Sequence, residues 1–157
     1  MEIPTSFELT FRPDLELVTD VRTFVEQLYQ RVLHDKDLSG RLAIATHELL
    51  ENAVKYSLDG ETSLRIDVAP TAGAPAIAVR TRNRAEARHV TTLRGYLDEM
   101  RASDDPTAYY LTRMRRAAGG THVSQLGLAR IRCEAEMQLS CSVEGDTVTV
   151  QAETLVS

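Results

Sequence analysis

Only two of the 157 residues are cysteine, Cys133 and Cys141. Their spacing suits neither a metal knuckle nor a disulfide framework, so both read as small buried hydrophobes. No stretch is long and apolar enough to cross a bilayer. Met1 to Thr5 lacks a basic segment leading into an apolar run, so no export signal is expected. Positive charge is not in excess: 18 Lys and Arg against 23 Asp and Glu give a net charge of -5, which argues against a general nucleic-acid binder. There is no internal repeat and no low-complexity tract. What remains, 43% hydrophobic and 26% charged, is the composition of one globular domain spanning 1–157. It is expected to be cytoplasmic, with neither nucleic acid nor membrane as partner.

Hydrophobic periodicity divides the chain. Phe7 to Phe11 alternates apolar and polar as a strand does, and Pro13 ends it. Val18, Val21, Val25, Leu28 and Val32 recur at helical spacing over about 17–33. Asp35 to Ser39 reads as a polar connection, and a second helix is expected after Gly40, ending near Ser57. Leu64, Ile66 and Val68 mark a strand, and Ala76 to Thr81 its hairpin partner across a Pro- and Gly-containing turn. Val90, Leu93, Leu97 and Met100 predict a helix. Asp104 or Asp105 can cap the next, with Pro106 in its first turn and Gly119-Gly120 after its end. A short helix over Gly127 to Arg132 follows. Two alternating segments around Glu144-Gly145-Asp146 then close the chain as a hairpin. Segregated helices and hairpins predict an α+β fold: a two-layer sandwich with helices on one face of a mixed, mostly antiparallel sheet.

One helix carries the chemistry. In His47-Glu48-Leu49-Leu50-Glu51-Asn52-Ala53-Val54-Lys55-Tyr56, the residues Leu42, Ala45, Leu49, Ala53 and Tyr56 share an apolar face. Glu48, Asn52 and Lys55 fall in one polar stripe beside it, at about 100° per residue. A carboxamide and a carboxylate suit a hard cation such as magnesium. Glu can take a proton from a hydroxyl, and Lys can meet a phosphate as a point charge. His47 points about 100° away from Glu48, and His34, His89 and His122 show no ligand spacing. Arg80, Arg82, Arg84 and Arg88 read either as a basic rim for phosphates or an acidic partner or, in the simpler reading, as a solvated edge, and Arg113, Arg115 and Arg116 carry the same two readings.

This helix resembles the N-box of the GHKL (Bergerat-fold) ATP-binding superfamily, whose members include gyrase-type ATPases, sensor histidine kinases and anti-sigma-factor kinases. The element order is similar to theirs as well. The resemblance implies ATP and Mg2+ as cofactors. It makes Asn52 the magnesium ligand and Glu48 the catalytic base. It also implies a nucleotide-binding set of Asn52, Lys55, Tyr56, Thr81, Asn83, Leu126, Gly127 and Leu128. Within the superfamily the pattern looks most like the SiaB-like protein kinases, relatives of the anti-sigma kinases that act in partner switching. That implies a regulatory protein partner, a small domain of the anti-sigma-antagonist kind, with homodimerisation open.

Two motifs depart from the superfamily pattern. Its Asp-x-Gly-x-Gly has no counterpart after Val79, where the chain runs Arg80-Thr81-Arg82-Asn83-Arg84-Ala85. Thr81 or Asn83 stands nearest the missing Asp, and an Asn accepts an amine hydrogen bond without charge assistance. Gln125-Leu126-Gly127-Leu128-Ala129 resembles Gly-Leu-Gly-Leu-Ala with its first glycine replaced, and Gly119-Gly120-Thr121 stands where a lid is expected. Two functions are therefore expected as alternatives. One is a Ser/Thr protein kinase acting on a small partner. The other is a catalytically inactive module that binds a partner without ATP turnover.

Overall fold

Asp14 and Asp35 set where the first two helices begin. Each side chain accepts a hydrogen bond from the backbone N–H three residues on, from Leu17 at 2.8 Å and from Leu38 at 3.0 Å. Each thereby satisfies an amide that a helix start leaves orphaned. The computed structural model describes residues 4–71, 73–118 and 126–154, with the backbone alone at 116–118 and 126. Its element order is β1 (Thr5–Phe11), α1 (Leu15–Leu33), α2 (Lys36–Tyr56), β2 (Thr62–Ala69), β3 (Ala76–Arg84), α3 (Ala87–Ala102), α4 (Pro106–Ala118), α5 (Leu126–Glu134), β4 (Met137–Glu144) and β5 (Thr147–Thr154). The expected lid, Gly119-Gly120-Thr121, lies outside the described residues, as do His122 and Gln125.

The strands form one sheet in the order β1-β2-β3-β5-β4. Every pairing among them is antiparallel, so the fold is the expected α+β sandwich with no parallel pair in its described sheet. Leu64, Ile66, Val68, Ile77, Val79, Val148, Val150 and Ala152 bury one face. Arg65, Asp67, Arg80 and Gln151 stand on the other, joined by hydrogen bonds such as Arg80 Nε to Gln151 Oε1 at 2.6 Å. Alternation in the sequence thus becomes one buried face and one solvated face. The helices cover the buried face: α2 packs on β2 and β3, α3 and α5 reach β4, α1 packs on α2, and α4 packs on α5.

Two boundaries differ from the sequence reading. Helix α2 starts at Lys36, within the stretch read as a polar connection. Asp35 caps it, Lys36 and Asp37 are exposed and the buried Ser39 is polar, so apolar periodicity is silent there. Strand β3 continues to Arg84, past the expected end at Thr81. Arg82, Asn83 and Arg84 stay in register with Thr149, Val148 and Thr147 of β5, which places Asn83 inside the strand, not after it.

Candidate functional site

Helix α2 is fixed by its apolar face. Leu42, Ala45, Leu49, Leu50 and Ala53 are buried, and each leucine so buried contributes about 1.5–3 kcal/mol relative to exposure. Tyr29 of α1 locks the middle of the helix. Its hydroxyl lies 2.9 Å from Thr46 Oγ1, which donates to Leu42 O at 2.8 Å. Burial pushes that hydroxyl's pKa well up, although the Thr46 bond pulls it down. A helix held this way presents its polar stripe at a set height over the sheet.

At the C-terminal end of the stripe, Asn52 and Tyr56 line a cavity of about 50 Å³. Asn83 of β3, Val148 and Val150 of β5 and Leu128 of α5 form its floor and side, and α3 closes it with His89, Val90, Leu93 and Tyr96. Tyr56 and His89 are in ring contact, with centroids 4.7 Å apart and planes at 57°. The wall is mostly apolar, with the two carboxamides of Asn52 and Asn83 in its lining, a polarity that suits a ligand although the volume is far below that of a drug-sized pocket. Asn83 is 6% exposed, and its Nδ2 donates to Arg84 O at 3.1 Å. That leaves its carbonyl oxygen as the acceptor.

One turn before Asn52, Glu48 occupies a different seat. Its side chain is 22% exposed, and Oε1 lies 3.7 Å from Arg130 Nη1 on α5. The other carboxylate oxygen lies against the α-carbon of Gly127. A Cβ there would overlap it and would stand 3.2 Å from Glu48 Cδ. Arg130 is shared with Glu134, at 2.7 Å. Burial raises the Glu48 pKa first and the nearby Glu51 adds to this, while His47, Arg130 and Arg22 pull it back. A carboxylate so placed is a stronger proton acceptor than a free one.

No family model matches this sequence, and no curated protein does. Solved structures do resemble it. The chain superposes on a chain of the SiaB-SiaC complex from Pseudomonas aeruginosa with a TM-score of 0.73. The match covers 94% of this chain and 88% of that one, at 13% sequence identity. A likeness at that identity shows a shared fold, here the α+β sandwich expected from the sequence.

The structure brings together Asn52, Tyr56, Asn83 and Leu128 of the expected set. Leu126 and Gly127 form the first turn of α5, and Gly127 faces Glu48. Two residues stand apart. Thr81 is 1% exposed, packed in the sheet layer with its hydroxyl unpartnered, and does not line the cavity. Lys55 is exposed, its ammonium 5.6 Å from the centroid of the Tyr56 ring, outside the lining. His47 pairs with Glu51, Nε2 to Oε2 at 3.2 Å, in keeping with its pointing away from the stripe. The sequence reading missed Arg130 and the whole α3 wall. Val90 and Leu93 were visible as an apolar face, but nothing in their spacing says that the face borders a cavity. Arg130 was open to detection as the residue one helical turn after Gly127.

Among the described residues no three His, Cys, Asp or Glu side chains gather around a common point. Magnesium commonly uses one or two protein oxygens and completes its shell with waters and phosphates, and Asn52 on the cavity wall offers one such oxygen.

Proposed function

We propose that this chain is a regulatory ATP-binding protein kinase that phosphorylates Ser or Thr of a small partner protein. The observation that carries the reading is the single rigid helix α2. It puts Asn52 into an apolar, carboxamide-edged cavity and Glu48 into a separate half-buried seat one turn away. A base-binding slot and a proton acceptor are thereby held at fixed separation. The fold neighbour was solved in complex with a second protein, which supports a protein as the substrate. Homodimerisation and a cytoplasmic setting belong to the same proposal. Among the described residues, no helix is long and apolar enough to cross a membrane.

In this reading Asn83 accepts from an amine on the base, while Leu128, Val90 and Leu93 exclude water from its faces. Asn52 offers its carboxamide oxygen to the cation. Magnesium bound with ATP neutralises phosphate charge during transfer. The first amides of α5, near Gly127, meet phosphate oxygens as a helix N-terminus does, beside the Glu48 carboxylate that fills the space at Gly127 itself. Lys55 can turn from the Tyr56 ring toward the same charge. Glu48 takes the proton of the partner's hydroxyl.

The reading is tested with the purified partner and labelled ATP. Glu48→Gln keeps the shape and hydrogen-bonding capacity of the side chain but cannot accept the proton. It is expected to retain ATP affinity and to lose transfer by about 10²-fold or more. Equal phosphorylation by wild type and variant removes Glu48 from the mechanism. The second reading, a non-catalytic partner-binding module, is favoured by the neutral Asn83 where a carboxylate is expected. It predicts a stable complex with no transfer by either protein.

A further inference from the structure

Helix α4 packs chiefly against α5. Its side-chain tether to α3 is the Arg113 guanidinium, which is buried and lies 4.5 Å from the centroid of the Tyr96 ring. Two large apolar side chains are left outside. Leu111 is 47% exposed and Met114 43%, and at i and i+3 they lie on one face, with Arg115 exposed next to Met114. The sequence of α4, Pro-Thr-Ala-Tyr-Tyr-Leu-Thr-Arg-Met-Arg-Arg-Ala-Ala, contains three arginines and no acid, in a chain of net charge -5.

We propose that the Leu111–Met114–Arg115 face of α4 is the docking surface for the protein partner, and that the partner presents an acidic segment carrying an apolar anchor. The proposal rests on the partner-protein reading above and adds where the partner sits and what chemistry it brings. An apolar pair beside a guanidinium is the composition of an interface anchor, in which burial supplies affinity and the charge supplies steering and choice of partner. Charge selects among the candidate occupants. A two-fold pairing of copies through this face would bring the exposed Arg115 and its equivalent into one interface. The exposed apolar residues of α1, Leu15, Leu17 and Phe24, share no single face, because at about 100° per residue Leu15 lies on the side opposite the other two. Position also favours α4. Tyr110, beside Leu111, stands near Glu134, Arg130 and Glu48, and its hydroxyl pKa is raised by burial first and then by Glu134. A partner seated on Leu111 therefore rests on the helix whose neighbouring residue, Tyr110, faces α5.

The test places a photo-crosslinking benzoylphenylalanine at position 111 and, as an equally accessible apolar control, at position 15 of the full chain in its own cells. The protein recovered at 111 is then titrated against wild type, Leu111→Asp and Arg115→Glu. The expected result is an adduct at 111 and not at 15, with an acidic protein. Each variant weakens its binding about tenfold or more, and raising salt from about 50 to about 300 mM weakens wild-type binding. An adduct only with the chain itself, a basic partner, no adduct at 111, or unchanged binding by both variants overturns the proposal. The kinase reading fails separately: docking that responds to Leu111→Asp but yields no phosphorylated partner leaves this surface standing and removes the enzyme.

Discussion

Glu48 shows how position turns a common residue into a specific one. Its identity and its stripe with Asn52 follow from i, i+4 spacing, so both are legible in the sequence. Its ionisation is not, because the groups that set it come from three helices: Glu51 and His47 on α2, Arg22 on α1 and Arg130 on α5. The net effect is a raised folded-state pKa, with burial as the first cause. For a raised carboxyl, the stability it contributes is fully present below the unfolded-state value and is lost as pH rises through the folded-state value. At neutral pH the charged side chain therefore weighs against the fold, and Glu48→Gln removes that burden. The urea midpoint of Glu48→Gln is expected to lie above wild type at pH 7, with the difference shrinking below about pH 4, where the carboxyl is protonated both folded and unfolded. Identical midpoints at pH 7 contradict the half-buried seat. Thr81 gives the opposite lesson. Counting along the strand made it and Asn83 equal candidates, and the cavity is reached by Asn83, two residues further along the same face.

At the scale of elements, α5 changes meaning once it is folded. From the sequence, Gly127 reads as the glycine of a phosphate-binding turn, whose absent side chain lets amides approach an anion. In the structure the space left at Gly127 is filled from within, by the Glu48 carboxylate. Only a contact between α2 and α5, which stand far apart in the chain, reveals this, and no local pattern encodes it. The two effects of Gly127→Ala therefore oppose each other. Alanine is the better helix former by about 0.5–1 kcal/mol, but its Cβ evicts the carboxylate from its place beside Arg130. In the wild-type background the stability gain is expected to be offset and phosphoryl transfer to fall. In a Glu48→Asp background, where the shorter side chain makes room, Gly127→Ala is expected to stabilise by about 0.5 kcal/mol. Chemical denaturation of the four proteins of this cycle measures the coupling, and the same effect in both backgrounds contradicts the contact. Helix α2 makes a related point about boundaries. Its capped first turn was hidden because polar residues, exposed like Lys36 and Asp37 or buried like Ser39, carry no apolar periodic signal, although Asp35 is a regular N-cap.

At the scale of the molecule, segregated helices and hairpins were enough to predict the two layers, because each strand alternates cleanly and each hairpin is bounded by turn residues. The strand order was not legible. Placing β5 between β3 and β4 depends on long-range pairing that no window of sequence contains. That placement matters for function, since Val148 and Val150 of β5 supply the cavity wall beside Asn83. A pocket edged by neutral carboxamides lacks charge assistance for the base, so ATP is expected to bind weakly and with a small preference over GTP. A competition titration checks this, and tight, strongly adenine-selective binding contradicts it. The central claim is that Asn52 joins this cavity to a cation. It is tested most directly by calorimetric titration of ATP into wild type and Asn52→Ala, each with and without magnesium, beside circular dichroism. The account predicts binding by wild type that depends on magnesium, and a loss of about tenfold or more in Asn52→Ala with an unchanged spectrum. ATP affinity that is the same in both proteins, or no binding by wild type with magnesium present, would contradict it.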